Sequence, residues 1–248
     1  MRNKISIVIV GSGDIRSKSL RDFIEENRNH LNINHVYFDG YKASIKNYFD
    51  FQKNFFHQSS SLLTPGEYGC LMSHIMAYDI CKELGHPTLI LEDDAEPRDF
   101  VSLDFLHSII DCCESSSAIH LGVQNGLGTH FSTKIKSLWS LPRGFPIWRT
   151  AAYVIGPTAA YSLLEFQRQH TRRADEWNVF TDARILNLKY IDCFDHPVEK
   201  GQQMESDRNG TSLNLRLQIK RAIDRRIQRL TRLKKSQPKL IGQMPLNY

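Results

Sequence analysis

The chain reads as an α/β protein with a largely parallel central sheet. Two observations predict this. Short aliphatic runs at Ile5 to Val10 and Leu89 to Leu91 stop abruptly at turn or acidic residues, as strands buried on both faces do. Between and after them come segments of helical periodicity, so strands and helices alternate along the chain.

Each element follows from local chemistry. Ile5 to Val10 closes on the loop Gly11-Ser12-Gly13-Asp14. Leu20, Phe23 and Ile24 put one apolar face on a helix over 16–29. His35 to Phe38, before Asp39-Gly40, reads as a second strand. Residues 41–63 have weak periodicity and fit a helix or an irregular segment. Thr64, Pro65 and Glu67 make a helix start with a cap, a first-turn proline and a returning carboxylate. That helix runs through Leu71, Ile75, Tyr78 and Cys81 to a stop at Gly85. Phe100 to Cys113 reads as a helix, Ala118 to Gly122 as a strand, and Gly126 to Pro146 as an excursion or lid. Thr150 to Ile155 is strand-like, Thr158 to Gln169 helical, and Tyr190 to Phe194 a late strand before a polar loop, 196–210. A catalytic unit over 1–210 and a tail over 211–248 are the expected domains.

Of 248 residues, 41% are hydrophobic and 24% charged, which suits a globular chain with one sizeable core. No apolar run approaches membrane-helix length. The basic, briefly apolar start lacks a small-residue cleavage site and reads as a strand rather than a signal peptide. Five cysteines without C-x-x-C spacing suit a reduced, cytoplasmic chain. The net charge of +5 is uneven. Residues 211–248 hold ten lysines and arginines against Asp224, a net of +9, which leaves −4 for residues 1–210. Leu215, Ile219, Ile223, Ile227 and Leu230 form a stripe on a basic amphipathic helix in that tail. Such a helix fits the anionic inner face of a membrane, through 211–239, or docking on the body or another subunit. A nucleic-acid partner is not expected, because the body is net acidic.

Glu92, Asp93 and Asp94 directly follow Leu91. Ligands of open α/β sheets bind beyond the carboxyl ends of strands. Adjacent carboxylates there repel, and a hard divalent cation relieves the repulsion while binding phosphates. The bland alternative is a solvated acidic turn at a helix start. Gly11-Ser12-Gly13 is no dinucleotide fingerprint, since the third glycine is missing.

Two segments then point to a family. Gly66-Glu67-Tyr68-Gly69-Cys70-Leu71-Met72-Ser73-His74 resembles the G-E-x-G-C-x-x-S-H signature of glycosyltransferase family 25, which includes bacterial lipooligosaccharide galactosyltransferases. Leu89-Ile90-Leu91-Glu92-Asp93-Asp94-Ala95 resembles its I-L-E-D-D-A segment, and 149–160 its G-T-x-A-Y-x-I-S-x-x-G-A stretch. Arg149 stands at that stretch's glycine, and only Arg16 and Lys18 stand where the family often has an arginine pair. The resemblance implies a GT-A-like nucleotide-sugar fold and inverting transfer of a hexose, usually galactose from UDP-galactose, onto a glycolipid or oligosaccharide acceptor. It also implies a divalent cation, manganese or magnesium.

By the same resemblance Asp94 is the principal metal ligand, with Glu92 and His196 completing the shell and Asp93 near the donor. Asp175 is the candidate base, with Asp182 and Glu176 as rivals; an acid at a helix start paired with Arg172 or Arg173 is the structural alternative. Trp177 beside it offers a stacking platform. Gly66, Glu67, His74, Arg149 and Tyr153 are the remaining donor-binding candidates. A phosphoryl- or nucleotidyl-transfer enzyme using the same acids is the alternative function; it predicts further acids and histidines spread over several strand ends.

Overall fold

The β-branched run Ile5–Val10 forms β1, buried along its whole length in the computed structural model. The structure describes residues 4–11, 14–38, 63, 65–122, 137–170, 172–195 and 239–243. Ser17 caps α1 (Lys18–Asn27) by accepting from Leu20 N–H at 3.2 Å. A 3-10 turn leads into β2 (Leu31–Val36), which pairs parallel with β1. Then come α2 (Pro65–Leu84), β3 (Thr88–Glu92), β4 (Glu96–Pro97), α3 (Leu103–Asp111), β5 (Ser117–Gly122), β6 (Ser137–Ser140) and β7 (Ala152–Ile155). The described chain continues with α4 (Pro157–His170), α5 (Trp177–Asp182), β8 (Asn187–Asp195) and β9 (Lys239–Gln243). Gly85, at φ 71°, ends α2 in the left-handed conformation that glycine adopts without strain.

The sheet order is β2-β1-β3-β7-β5-β8-β6-β9, with β4 on the end of β8. The sheet is mixed. β1, β2 and β3 are mutually parallel, as are β5 and β8, while β7 runs antiparallel between β3 and β5. Two antiparallel steps restore direction, so β1, β2, β3, β5 and β8 all end on one side. The expected parallelism holds for these strands; the inverted β7, and the antiparallel β4, β6 and β9 contacts, depart from it.

Pleat parity divides the core into two layers. Ile5, Ile7, Ile9, Leu89, Leu91, Ala152, Val154 and Ile191 face α1 and α3. Val8, Val10, Ile90, Tyr153, Ile155 and Tyr190 face α2, α4 and α5. Helices thus cover both faces.

The second strand lies upstream of its expected position at 35–38. Polar residues at alternate positions, Asn32 and Asn34, disguise Leu31 and Ile33, and the register with β1 places them. The basic helix and its membrane contact fall at residues outside the described set, except that Lys239 belongs to β9. Among the described residues no helix is long and apolar enough to cross a membrane.

Candidate active site

Pleat parity separates the three acids. Glu92 shares the face of Ile90 and turns toward α2, whereas Asp93 enters the turn on the α1 side. That turn is tied down: Asp93 N–H donates to Val10 carbonyl at 2.9 Å, and Ser17 N–H donates to Asp93 carbonyl at 3.0 Å. The Asp93 carboxylate, 2% exposed as a residue, accepts from Arg16 Nε at 2.9 Å and Nη2 at 2.5 Å. Arg16 Nη2 also reaches Asp94 Oδ2 at 2.8 Å. Gly11 is required beside it: a Cβ there would stand 2.2 Å from Asp93 Cγ. Lys18, the other cation of this loop, pairs instead with Asp22 at 2.5 Å on the surface.

Glu67, Cys70 and His74 recur at i, i+3 and i+7, so α2 presents them on one face. His74 is wholly buried; its Nδ1 meets Tyr153 hydroxyl at 2.8 Å, and its Nε2 lies 3.5 Å from Glu92 Oε1. Thr150 hydroxyl donates to the same Glu92 oxygen. The ligand atoms of Cys70, His74 and Glu92 all lie within 4.8 Å of one another. Burial pushes the Cys70 thiol well up, and the carboxylates of Glu92, Asp175 and Glu67 add to this.

Arg149 enters from the segment before β7 with φ 70°, a conformation that non-glycine residues rarely take. Its carbonyl accepts from Trp177 Nε1 at 2.8 Å and from His120 Nε2 at 2.9 Å. Its Nη1 is buried with no hydrogen-bond partner among the described residues.

Asp175 sits before α5 with its side chain one-third exposed, and Arg173 Nε is 3.6 Å away. Arg173 also reaches Glu176 at 3.3 Å and Glu67 at 3.8 Å. Burial raises Asp175 above the usual carboxylate range; Arg173 opposes this, and Glu67 and Glu92 reinforce it. Glu92 is within electrostatic range of Arg16 as well, so it stands between the Arg16 turn and the Asp175 group.

The structure therefore gathers Glu67, His74, Glu92, Arg149 and Asp175 around the carboxyl end of β3, with Asp93 and Asp94 on its α1 side. Gly66 lies in the first turn of α2, partly exposed. Tyr153 is corrected: its parity points it into the α2 layer, where it is fully buried and supports His74, so it does not face a donor. Trp177 is likewise core, 4.9 Å centroid to centroid from Tyr153, rather than a stacking platform. Asp182 is placed elsewhere, against Gly144. His196 lies outside the described residues. His120, and the contact of Thr150 with Glu92, are neighbours of this group to which motif reading assigns no role. His120 had a signal, a lone imidazole within the apolar Ala118 to Leu121 strand.

An α/β sheet with acids and the Arg149 segment at its carboxyl end has the frame in which such folds bind ligands. A family model described as glycosyltransferase family 25 (LPS biosynthesis protein) matches residues 15–178. The chain belongs to that family and is a glycosyltransferase of lipopolysaccharide biosynthesis. No curated protein matches it. Two solved structures align over 77% of the chain. One is a crystal structure of A197 from STIV, at TM-score 0.38 and 11% identity over 83% of that chain. The other is a glycosyltransferase involved in the glycosylation of the major capsid of PBCV-1, at TM-score 0.39 and 12% identity over 93% of that chain.

The residues present fit a hard divalent ion at Asp94. Its carboxylate is one-fifth exposed at a strand's carboxyl end, and such ions need one or two carboxylates when substrate phosphates supply the rest. Asp93 is buried against Arg16 and serves the turn. Glu92 takes its partners from α2 and the entry to β7.

Proposed function

We propose that this glycosyltransferase moves a hexose, galactose from UDP-galactose foremost, with inversion onto a terminal sugar of lipooligosaccharide or lipopolysaccharide. The observation that carries this reading is the Asp175 carboxyl. Its side chain is one-third exposed, it is raised by burial, and it is flanked by Arg173.

A carboxylate raised by burial is a stronger base than a free one. The acceptor hydroxyl oxygen attacks the anomeric carbon from the face opposite the nucleotide. Its proton passes to Asp175, and the bond from the anomeric carbon to the diphosphate breaks with its electron pair on the departing UDP. Arg149, whose buried Nη1 has no partner among the described residues, binds the diphosphate and stabilises that charge. Asp94 would hold the cation, manganese or magnesium, which would supply positive charge to the leaving diphosphate. Arg16 keeps Asp94 in place through Nη2. Acceptors of this class are membrane glycolipids, which suits a cytoplasmic protein peripheral to the inner face through its basic tail.

The test is UDP release from a panel of UDP-sugars, with and without manganese, using a short terminal-glucosyl or N-acetylglucosaminyl acceptor. Metal-dependent release from one donor, lost in Asp94→Asn, is the expected result. Equal activity of the variant would remove Asp94 from the metal's shell. The absence of UDP binding by calorimetry would refute the donor class.

A further inference from the structure

Cys70, His74 and Glu92 bring three different ligand types to one point beneath the acidic turn. Their ligand atoms lie within 4.8 Å of one another, contributed by the consecutive elements α2 and β3. His74 is wholly buried, and among the described residues its Nε2 has no hydrogen-bond partner. The other ring nitrogen is engaged by Tyr153 at 2.8 Å, the outer contact that fixes ring orientation in histidine metal sites. Nε2 thus points at Glu92 Oε1 across 3.5 Å, too long for a good hydrogen bond. Two ligands about 2.0–2.2 Å from a shared tetrahedral ion stand roughly 3.4 Å apart. The gap between imidazole and carboxylate therefore matches the width of a metal bridge.

We infer that Cys70, His74 and Glu92 form a second cation site, for a zinc-class transition metal, distinct from the hard-ion position at Asp94. Donor chemistry separates the two. A thiolate and an imidazole select zinc, cobalt or ferrous iron over magnesium, whereas Asp94 offers hard oxygen alone. Three protein ligands leave a fourth tetrahedral position for solvent. Asp175 interacts electrostatically with Cys70, so that position lies in the same acidic neighbourhood. An ion here clamps α2 to the end of β3 and fixes Glu92, whichever sugar the enzyme transfers. Thr150, donating to Glu92, orients the carboxylate for that role.

The experiment uses the full chain and needs no activity assay. Chelator-treated protein is titrated with Co²⁺ and followed by absorption. The expected result is one tightly bound Co²⁺ per chain with a thiolate-to-cobalt charge-transfer band, displaced by Zn²⁺. Cys70→Ser abolishes that band and weakens Zn²⁺ binding on the order of 100-fold. Cys112→Ser and Asp94→Asn leave the band intact, which distinguishes this site from the partly exposed Cys112 thiol and from the donor cation. A wild-type spectrum without thiolate charge transfer overturns the inference, and that measurement does not depend on any variant folding. Loss of the band in Asp94→Asn or Cys112→Ser would also overturn it.

Discussion

The His120 imidazole donates from Nε2 to the Arg149 carbonyl at 2.9 Å, and this bond shapes the entry to β7. Its direction follows from the other nitrogen: Gly122 N–H donates to Nδ1 at 3.2 Å, so the ring proton sits on Nε2. Trp177 indole N–H adds a second donor to the same carbonyl. Two donors on one oxygen hold Arg149 at φ 70°, a conformation that costs a non-glycine residue about 1–3 kcal/mol. The strain sits one residue before Thr150, which donates to Glu92.

That arrangement makes stability depend on pH. Burial lowers His120 from its usual value to about 4, so the folded state keeps the ring neutral. Between the ordinary histidine value, about 6.5, and about 4, the unfolded chain binds a proton that the folded chain refuses. The contribution is complete above about pH 6.5 and is lost as pH falls through about 4, a change on the order of 3 kcal/mol. Urea titrations across this window should show wild type losing stability faster than His120→Gln, which keeps an N–H donor but does not titrate. Parallel curves for the two proteins would mean that His120 is not held neutral.

Arg149 can be dissected by comparing two truncations. Arg149→Gly and Arg149→Ala both remove the guanidinium, so both should raise KM for the nucleotide-sugar about tenfold or more, the loss of a charge-assisted bond. They should differ in stability. Glycine adopts φ 70° freely, so Arg149→Gly should be about 1 kcal/mol more stable than Arg149→Ala. Equal melting temperatures would show that the segment relaxes once the side chain is gone.

The sequence makes the strand and helix order legible because β1, β3 and α2 carry unmistakable local signals. β1 and β3 are unbroken aliphatic runs, and α2 has both a start and a glycine stop. The inverted β7 was not legible. Ala152 to Ile155 reads the same in either direction, and its orientation is set by neighbours far away in sequence. The acidic cluster shows the same division. Three consecutive acids announce a site, but the pleat sends Glu92 to His74 and Asp93 to Arg16, a distinction visible only once the strand's faces are assigned. Asp175 came from family resemblance, and its partners Arg173 and Glu67 are brought together only by the fold.

The Arg16 bridge predicts a rescue. Arg16→Ala leaves the Asp93 carboxylate buried without its cation, and breaking such a pair costs several kcal/mol when both partners are enclosed. Arg16 is 43% exposed, so solvent screening reduces the expected loss to about 2 kcal/mol. Asp93→Asn in the Arg16→Ala background removes the stranded charge and should recover about half of it. Thermal melts of the single and double variants decide the matter. No recovery would mean that Arg16 stabilises the turn through packing or through Asp94 instead.

The Asp175 assignment makes a signed prediction about rate against pH. As a base, Asp175 must be ionised, so kcat/KM should fall on the acid side as it takes up a proton. Burial places that fall above the ordinary aspartate range. Arg173 is the opposing influence, and removing it in Arg173→Gln should move the acid limb to still higher pH. Glu67 acts with burial, so Glu67→Gln should move the limb to lower pH. Asp175→Asn should lower kcat by about 10²–10⁴ with little change in donor KM, the signature of a group used in the transition state. The opposite displacements distinguish a base from a structural acid. If Asp175 only anchored Arg173, Arg173→Gln and Glu67→Gln would lower stability without moving the limb in opposite directions. An unmoved limb in both variants, with Asp175→Asn still active, would transfer the role to Glu176, which faces the same arginine at 3.3 Å.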